Sequence, residues 1–135
     1  MVQVKDNFLP EYTYKELRRT MFSSEIPWFS KSGTVDDKSK DINWFSHCLY
    51  NEFRPGSDLF PSTLDFIKKL NVSALIEIRA NLSLKTDQDY KTIWHADYPY
   101  KNNKTAIFYF NTDTTGTCFK IDNEEKFIEA KENRM

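Results

Sequence analysis

His95-Ala96-Asp97 places an imidazole and a carboxylate two residues apart. On an extended strand such residues project to the same side, so both can offer ligand atoms to one metal ion. In type they match two of the three ligands of a 2-His-1-carboxylate iron site. The third is the difficulty. The 38 residues after Asp97 contain no His, and the other imidazole of the chain, His47, lies 48 residues before His95. His47 sits in a strand-like run beside Cys48 and Tyr50, where a lone His is ordinarily a satisfied structural residue.

The elements that would position the pair can be read from periodicity. Ile76, Ile78, Ala80, Leu82 and Leu84 alternate with Glu77, Arg79, Asn81 and Ser83, predicting a strand over residues 74–84 whose polar face meets solvent or a wet site. After a Lys/Asp/Gln loop over 85–92, Ile93-Trp94 leads into the motif. Thr105 to Phe110 reads as an aromatic strand, Asp113-Thr-Thr-Gly116 as a turn in which Gly116 supplies the positive φ, and Thr117 to Ile121 as the returning strand of a hairpin. Phe127-Ile-Glu-Ala130 is a further strand candidate, and Asp122-Asn-Glu-Glu-Lys126 reads as an exposed turn.

Upstream, Pro10 fits the first turn of a helix running to about Met21, with Tyr14, Leu17 and Met21 on one face. Pro27 and Gly33 break residues 23–41, although Ile26, Trp28 and Phe29 are too apolar for a free loop. Trp44 to Tyr50 predicts a strand, Pro55-Gly56 a turn, and Pro61 to Leu70 a second helix with Leu64, Ile67 and Leu70 inward and Asn71 as its stop. Helices followed by short strands predict an α+β arrangement.

Composition narrows the function classes. At 135 residues the chain is expected to be a single domain, 1–135, and 16% aromatic residues favour a β-rich interior. A net charge of -1 gives no bulk attraction for nucleic acid, which is not expected as a partner. Cys48 and Cys118 are too few for a disulfide framework and form no Cys-x-x-Cys pair. With no signal-like segment and no apolar run long enough to span a bilayer, a cytoplasmic location without membrane contact is expected, and the sequons at Asn71, Asn81 and Asn103 read as chance matches.

The strand Ile76-Glu-Ile-Arg-Ala-Asn-Leu82, the His95-Ala-Asp97 motif, the Thr105–Asn111 strand and the hairpin after it carry a family likeness, as do the opening Val4-Lys-Asp-Asn-Phe-Leu-Pro10 and its helix. Together they resemble the iron(II)- and 2-oxoglutarate-dependent oxygenases, in the small prolyl-hydroxylase-like branch well represented in bacteriophages and marine microbes. The resemblance covers most of the chain from about residue 72 onward. It implies a double-stranded β-helix, a jelly-roll or cupin-like sheet with two N-terminal helices packed against it. His95 and Asp97 would be Fe(II) ligands, and Tyr109 would hydrogen-bond the distal carboxylate of the cosubstrate 2-oxoglutarate. Arg79 or Asn81 would face the same interior. No acid, base or nucleophile of the chain is assigned.

In that family, 2-oxoglutarate decarboxylation drives hydroxylation of an unactivated C–H bond. The resemblance leaves the substrate open between protein or peptide prolyl residues, nucleic-acid bases, free amino acids and small metabolites. The bland readings stay open beside it: a surface loop pair for His95 and Asp97, a core aromatic for Tyr109, a solvated strand face for Arg79 and Asn81. Relatives carry the second His and a basic anchor for the keto acid downstream of the Asp, and many have Tyr where Ser83 stands. Glu132-Asn-Arg-Met135 resembles the entry to the strand leading to that ligand. The expectation is therefore a barrel incomplete at its C-terminus, a domain truncated there, and impaired turnover. The alternative is a degenerate β-helix serving as a viral accessory, binding or assembly module, its open sheet edges completed by a partner chain or a second copy.

Overall fold

Helix α1 (Glu11–Met21) starts where the sequence places it, because Pro10 has no N–H to lose there and its carbonyl accepts from Tyr14 N–H at 2.9 Å. Tyr14, Leu17 and Met21 are its buried face. In the computed structural model, which describes residues 1–32, 43–85 and 91–135, the other elements follow in order. They are β1 (Phe29–Ser32), β2 (Asn43–Asn51), β3 (Arg54–Pro55), a 3-10 turn (Phe60–Thr63) running into α2 (Leu64–Lys69), β4 (Ile78–Ser83), β5 (Gly116–Ile121) and β6 (Glu124–Glu129). Gly33 and most of the loop expected over 85–92 lie outside the described residues. The fold is α+β with antiparallel sheets; among the described residues neither sheet closes into a barrel. The chain divides into two compact units, Ser23–Asp97 and a discontinuous one made of Met1–Phe22 with Tyr98–Met135.

In the Ser23–Asp97 unit, β2 is the central strand. β4 pairs along one edge, from Trp44↔Ser83 to Tyr50↔Ile78, with an irregularity between Cys48 and Tyr50. β1 pairs with residues 43–46, and β3 returns against Tyr50 and Asn51. The β2–β3 turn sets Glu52 and Phe53 at φ 51° and 63°, a primed turn built without the usual Asn or Gly, and leaves Phe53 92% exposed at its tip. The expected alternation on β4 holds at its centre, where Ala80 is buried between exposed Arg79 and Asn81, but the strand starts later than expected and Ile76 and Leu84 are exposed. Helix α2 is shorter than its pattern suggests. Leu64 and Leu70, expected inward, are exposed; Thr63 of the 3-10 turn is the buried residue, and the Tyr50 and Phe60 rings stack 5.1 Å apart. Asn71 ends the helix as expected, at φ 50°, with its N–H on Lys68 O and Val72 N–H on Ile67 O, a Schellman cap.

In the discontinuous unit, Phe8, Leu9, Ala130 and the buried face of α1 form the core. The Phe108 ring packs edge-on 6.4 Å from Phe8, 6.3 Å from Tyr14 and 5.0 Å from Phe110. The expected strand over Thr105–Asn111 does not form. The Phe110 carbonyl accepts from the Tyr14 hydroxyl at 2.9 Å and Arg18 Nε at 3.2 Å, so an acceptor that a ladder needs is taken by side chains. Only an isolated bridge, Tyr109↔Arg134, remains. The partner of β5 is instead β6, joined through Asp122 and Asn123 at φ 51° and 66°. The run expected to be an exposed turn thus supplies a two-residue turn and then the start of a strand.

Gly116 stands in β5 rather than in a turn, and its requirement is space rather than a positive φ: a Cβ there would collide with Ile128 O. The unit closes on its end segments. Asn133 Oδ1 accepts from Leu9 N–H and its amide donates to Leu9 O, both at 2.9 Å, while Lys5 and Met135 exchange backbone hydrogen bonds of 2.8 and 3.0 Å.

Candidate metal centre

Residues 91–97 form neither helix nor strand, so the alternation expected to align His95 with Asp97 is not what brings them together. A local hydrogen bond contributes: His95 Nδ1 lies 2.9 Å from Ile93 O. A carbonyl oxygen only accepts, so Nδ1 carries the proton of the neutral ring and Nε2 presents its lone pair. That lone pair faces Asp97 Oδ1 at 3.7 Å, with the two side chains 33% and 31% exposed.

Two acceptors face one another here, an arrangement satisfied by a proton on Nε2 or by a metal cation between them. Ligand bonds of about 2.1 Å from one ion to both atoms would subtend roughly 120°, against the 90° and roughly 3.0 Å separation of adjacent octahedral ligands. A few tenths of an ångström of side-chain rotation closes much of that gap. The imidazole is held in the way metal-binding His residues ordinarily are, with the second ring nitrogen on an oxygen.

Two observations limit the fit. Arg79 Nη2 lies 3.4 Å from the same Asp97 Oδ1, so an incoming cation meets a guanidinium that must turn toward Glu77, whose Oε2 is 3.6 Å from Nη1. Among the described residues, no cluster of three or more His, Cys, Asp or Glu side chains suited to a metal exists, so the pair supplies two ligands and not three.

Arg79 projects from the polar face of β4, with its Cζ 6.0 Å from the Trp44 ring. Asn81, opposite Ser46 in the ladder, is exposed on the same strand, and Ser83 stands opposite Trp44. Of the residues expected to hold the cosubstrate, Arg79 therefore meets the pair through Asp97. The Tyr109 hydroxyl donates to Thr117 Oγ1 at 2.7 Å, and its backbone pairs with Arg134.

His47 is buried and held by Pro27 O and Ser57 Oγ, each at 2.8 Å. Its satisfied state was expected from the sequence; its partner Ser57 was not singled out. The available signal was the spacing, since a His on one strand and a Ser ten residues on, just past Pro-Gly, come level when the chain folds back. Comparison with protein-family models, with curated proteins and with solved structures finds no match.

Proposed function

We propose that the chain is an iron(II)- and 2-oxoglutarate-dependent oxygenase-type domain, an incomplete double-stranded β-helix in which His95 and Asp97 hold the metal. The observation that carries the reading is the facing of His95 Nε2 and Asp97 Oδ1 at 3.7 Å, with Nδ1 engaged by Ile93 O. In such enzymes the bound iron with 2-oxoglutarate supplies hydroxylation of a C–H bond. The chain's own contribution is to hold: His95 offers a neutral nitrogen, Asp97 a carboxylate that offsets the ion's charge. Arg79, once displaced onto Glu77, presents a guanidinium suited to a keto-acid carboxylate. Asn81, exposed on the same strand as Arg79, is the further candidate for that cosubstrate.

The test is anaerobic titration with Mn(II), read by electron paramagnetic resonance, and with Fe(II), read by tryptophan emission, since Trp94 adjoins His95. Weak binding is expected, falling on the order of tenfold or more in both His95→Ala and Asp97→Ala. No succinate is expected from these 135 residues with 2-oxoglutarate. Metal binding that is unchanged in both variants refutes the site.

A second reading, a non-catalytic binding or assembly module, is favoured by the outer edge of β4, which has no strand partner among the described residues. Light scattering showing a stable oligomer, together with absent metal binding, would select it.

A further inference from the structure

His47 is only 4% exposed, and both of its ring nitrogens are engaged. Its Nδ1 lies 2.8 Å from Pro27 O, and its Nε2 2.8 Å from Ser57 Oγ. Because Pro27 O can only accept, Nδ1 is the protonated nitrogen of the neutral ring, and the Ser57 hydroxyl donates to the Nε2 lone pair. This is the tautomer in which an imidazole acts as a base toward a serine. The backbone carbonyl takes the orienting role that a carboxylate takes in the familiar triads.

The backbone around Ser57 is arranged to bring it there. The chain leaves β3, turns at Gly56 and enters the 3-10 turn at Phe60. Gly56 N–H donates to Leu49 O at 2.9 Å, drawing the turn onto β2. A Cβ at Gly56 would stand 3.0 Å from both the carbonyl oxygen and the Sγ of Cys48, so a side chain there would press on β2 and push the turn back by a few tenths of an ångström. Leu59 N–H donates to Ser57 Oγ at 3.0 Å and fixes its rotamer. The hydroxyl thus has its proton on His47 and one lone pair on Leu59, leaving the other lone pair for attack. Ser57 is half-buried.

We propose that Ser57 and His47 form a nucleophile–base pair for acyl transfer from small esters. The site is independent of His95 and Asp97 and does not rest on the iron reading. Ser57 Oγ bonds to the ester carbonyl carbon while its proton passes to His47 Nε2. The carbon–oxygen bond to the alcohol then breaks, and the proton moves from Nε2 to the departing oxygen. Water, deprotonated by Nε2, attacks the acyl-serine in the same way; the acid leaves and Ser57 Oγ takes the proton back.

The experiment treats the full chain with a fluorophosphonate and locates the adduct by tandem mass spectrometry. Labelling forms the Oγ–P bond, breaks P–F, releases fluoride and places the hydroxyl proton on Nε2. The expected result is an adduct on Ser57 of the folded chain and on no serine of the urea-unfolded chain or of Ser57→Ala. In folded His47→Gln the rate should fall by about 100-fold or more. Should that variant not fold, the folded and urea-unfolded wild-type chains decide the matter alone. No adduct on Ser57, equal labelling of folded and unfolded chains, or an undiminished rate in folded His47→Gln overturns the proposal and leaves the pair as a structural tie.

Discussion

Replacing Asn133 tests how the discontinuous unit is closed. The residue is buried, stands at φ 56°, and satisfies both backbone groups of Leu9, itself 2% exposed. In Asn133→Ala the Leu9 N–H and carbonyl both lose their partner, at about 1–3 kcal/mol for each buried group. A left-handed conformation costs a further 1–2 kcal/mol or so for Ala, where Asn tolerates it. Allowing for water reaching one of the freed groups, the expected loss is about 3–5 kcal/mol, a large share of an ordinary domain's stability. Asn133→Gly removes the same hydrogen bonds but not the backbone freedom. It should recover about 0.5–1 kcal/mol relative to Ala, after the entropy of Gly in the unfolded chain is counted. Asn133→Asp keeps the acceptor for Leu9 N–H and sets a carboxylate against Leu9 O, so it should fall between wild type and Ala. The assay is urea unfolding by far-UV circular dichroism, with amide exchange at Phe8 and Leu9. Tryptophan emission reports the Ser23–Asp97 unit, which contains all three Trp residues. A loss below about 1 kcal/mol for Ala, or Gly no better than Ala, refutes the account.

Other outcomes follow from single contacts. Gly116→Ala places a Cβ against Ile128 O and should cost about 3 kcal/mol or more, read as lost amide protection in β5 and β6. Glu52→Asn with Phe53→Gly relieves two left-handed residues and should raise stability by about 1–2 kcal/mol in thermal unfolding; no gain means the turn is not strained. Hydrogen bonds from Arg134 and then Lys131 hold the Asp6 carboxyl well below the ordinary Asp value of 3.8. A depressed folded value stabilises above the unfolded one, so this contribution is present at neutral pH and fades as the pH drops below about 4. Falling amide protection factors at Lys5 and Met135 on acidification, with the intrinsic pH dependence of exchange divided out, are the expected record, and the fall should be absent in Asp6→Asn.

Where local pattern and packing agree, the sequence reads correctly. Tyr14, Leu17 and Met21 repeat at helical spacing and are buried together, Asn71 has the left-handed conformation its type favours, and Ala80 sits at the centre of a true alternation. Reading fails where tertiary partners outweigh pattern. Thr105–Phe110 has strand composition, but Phe108 is anchored in a ring cluster and the Phe110 carbonyl is taken by Tyr14 and Arg18. Asp113-Thr-Thr-Gly116 looks like a turn, yet Asp122-Asn123, equally suited, is the one that joins the strands. At the candidate centre, the types and spacing of His95 and Asp97 were legible, whereas the Ile93 carbonyl that orients the ring and the guanidinium on Asp97 were not, because both depend on a segment without regular structure.

The backbone exchange between Lys5 and Met135 bears on the order in which the chain acquires structure. Met1–Phe22 is made before the rest of its unit, and its partners over 98–135 emerge only after the 75 residues of Ser23–Asp97 have been made. Those residues can condense as a continuous stretch while α1 waits with its apolar face uncovered. Closing the discontinuous unit is then a high-contact-order event, slow compared with collapse of the central stretch. Two kinetic phases are the consequence, the slower being the one Asn133 controls.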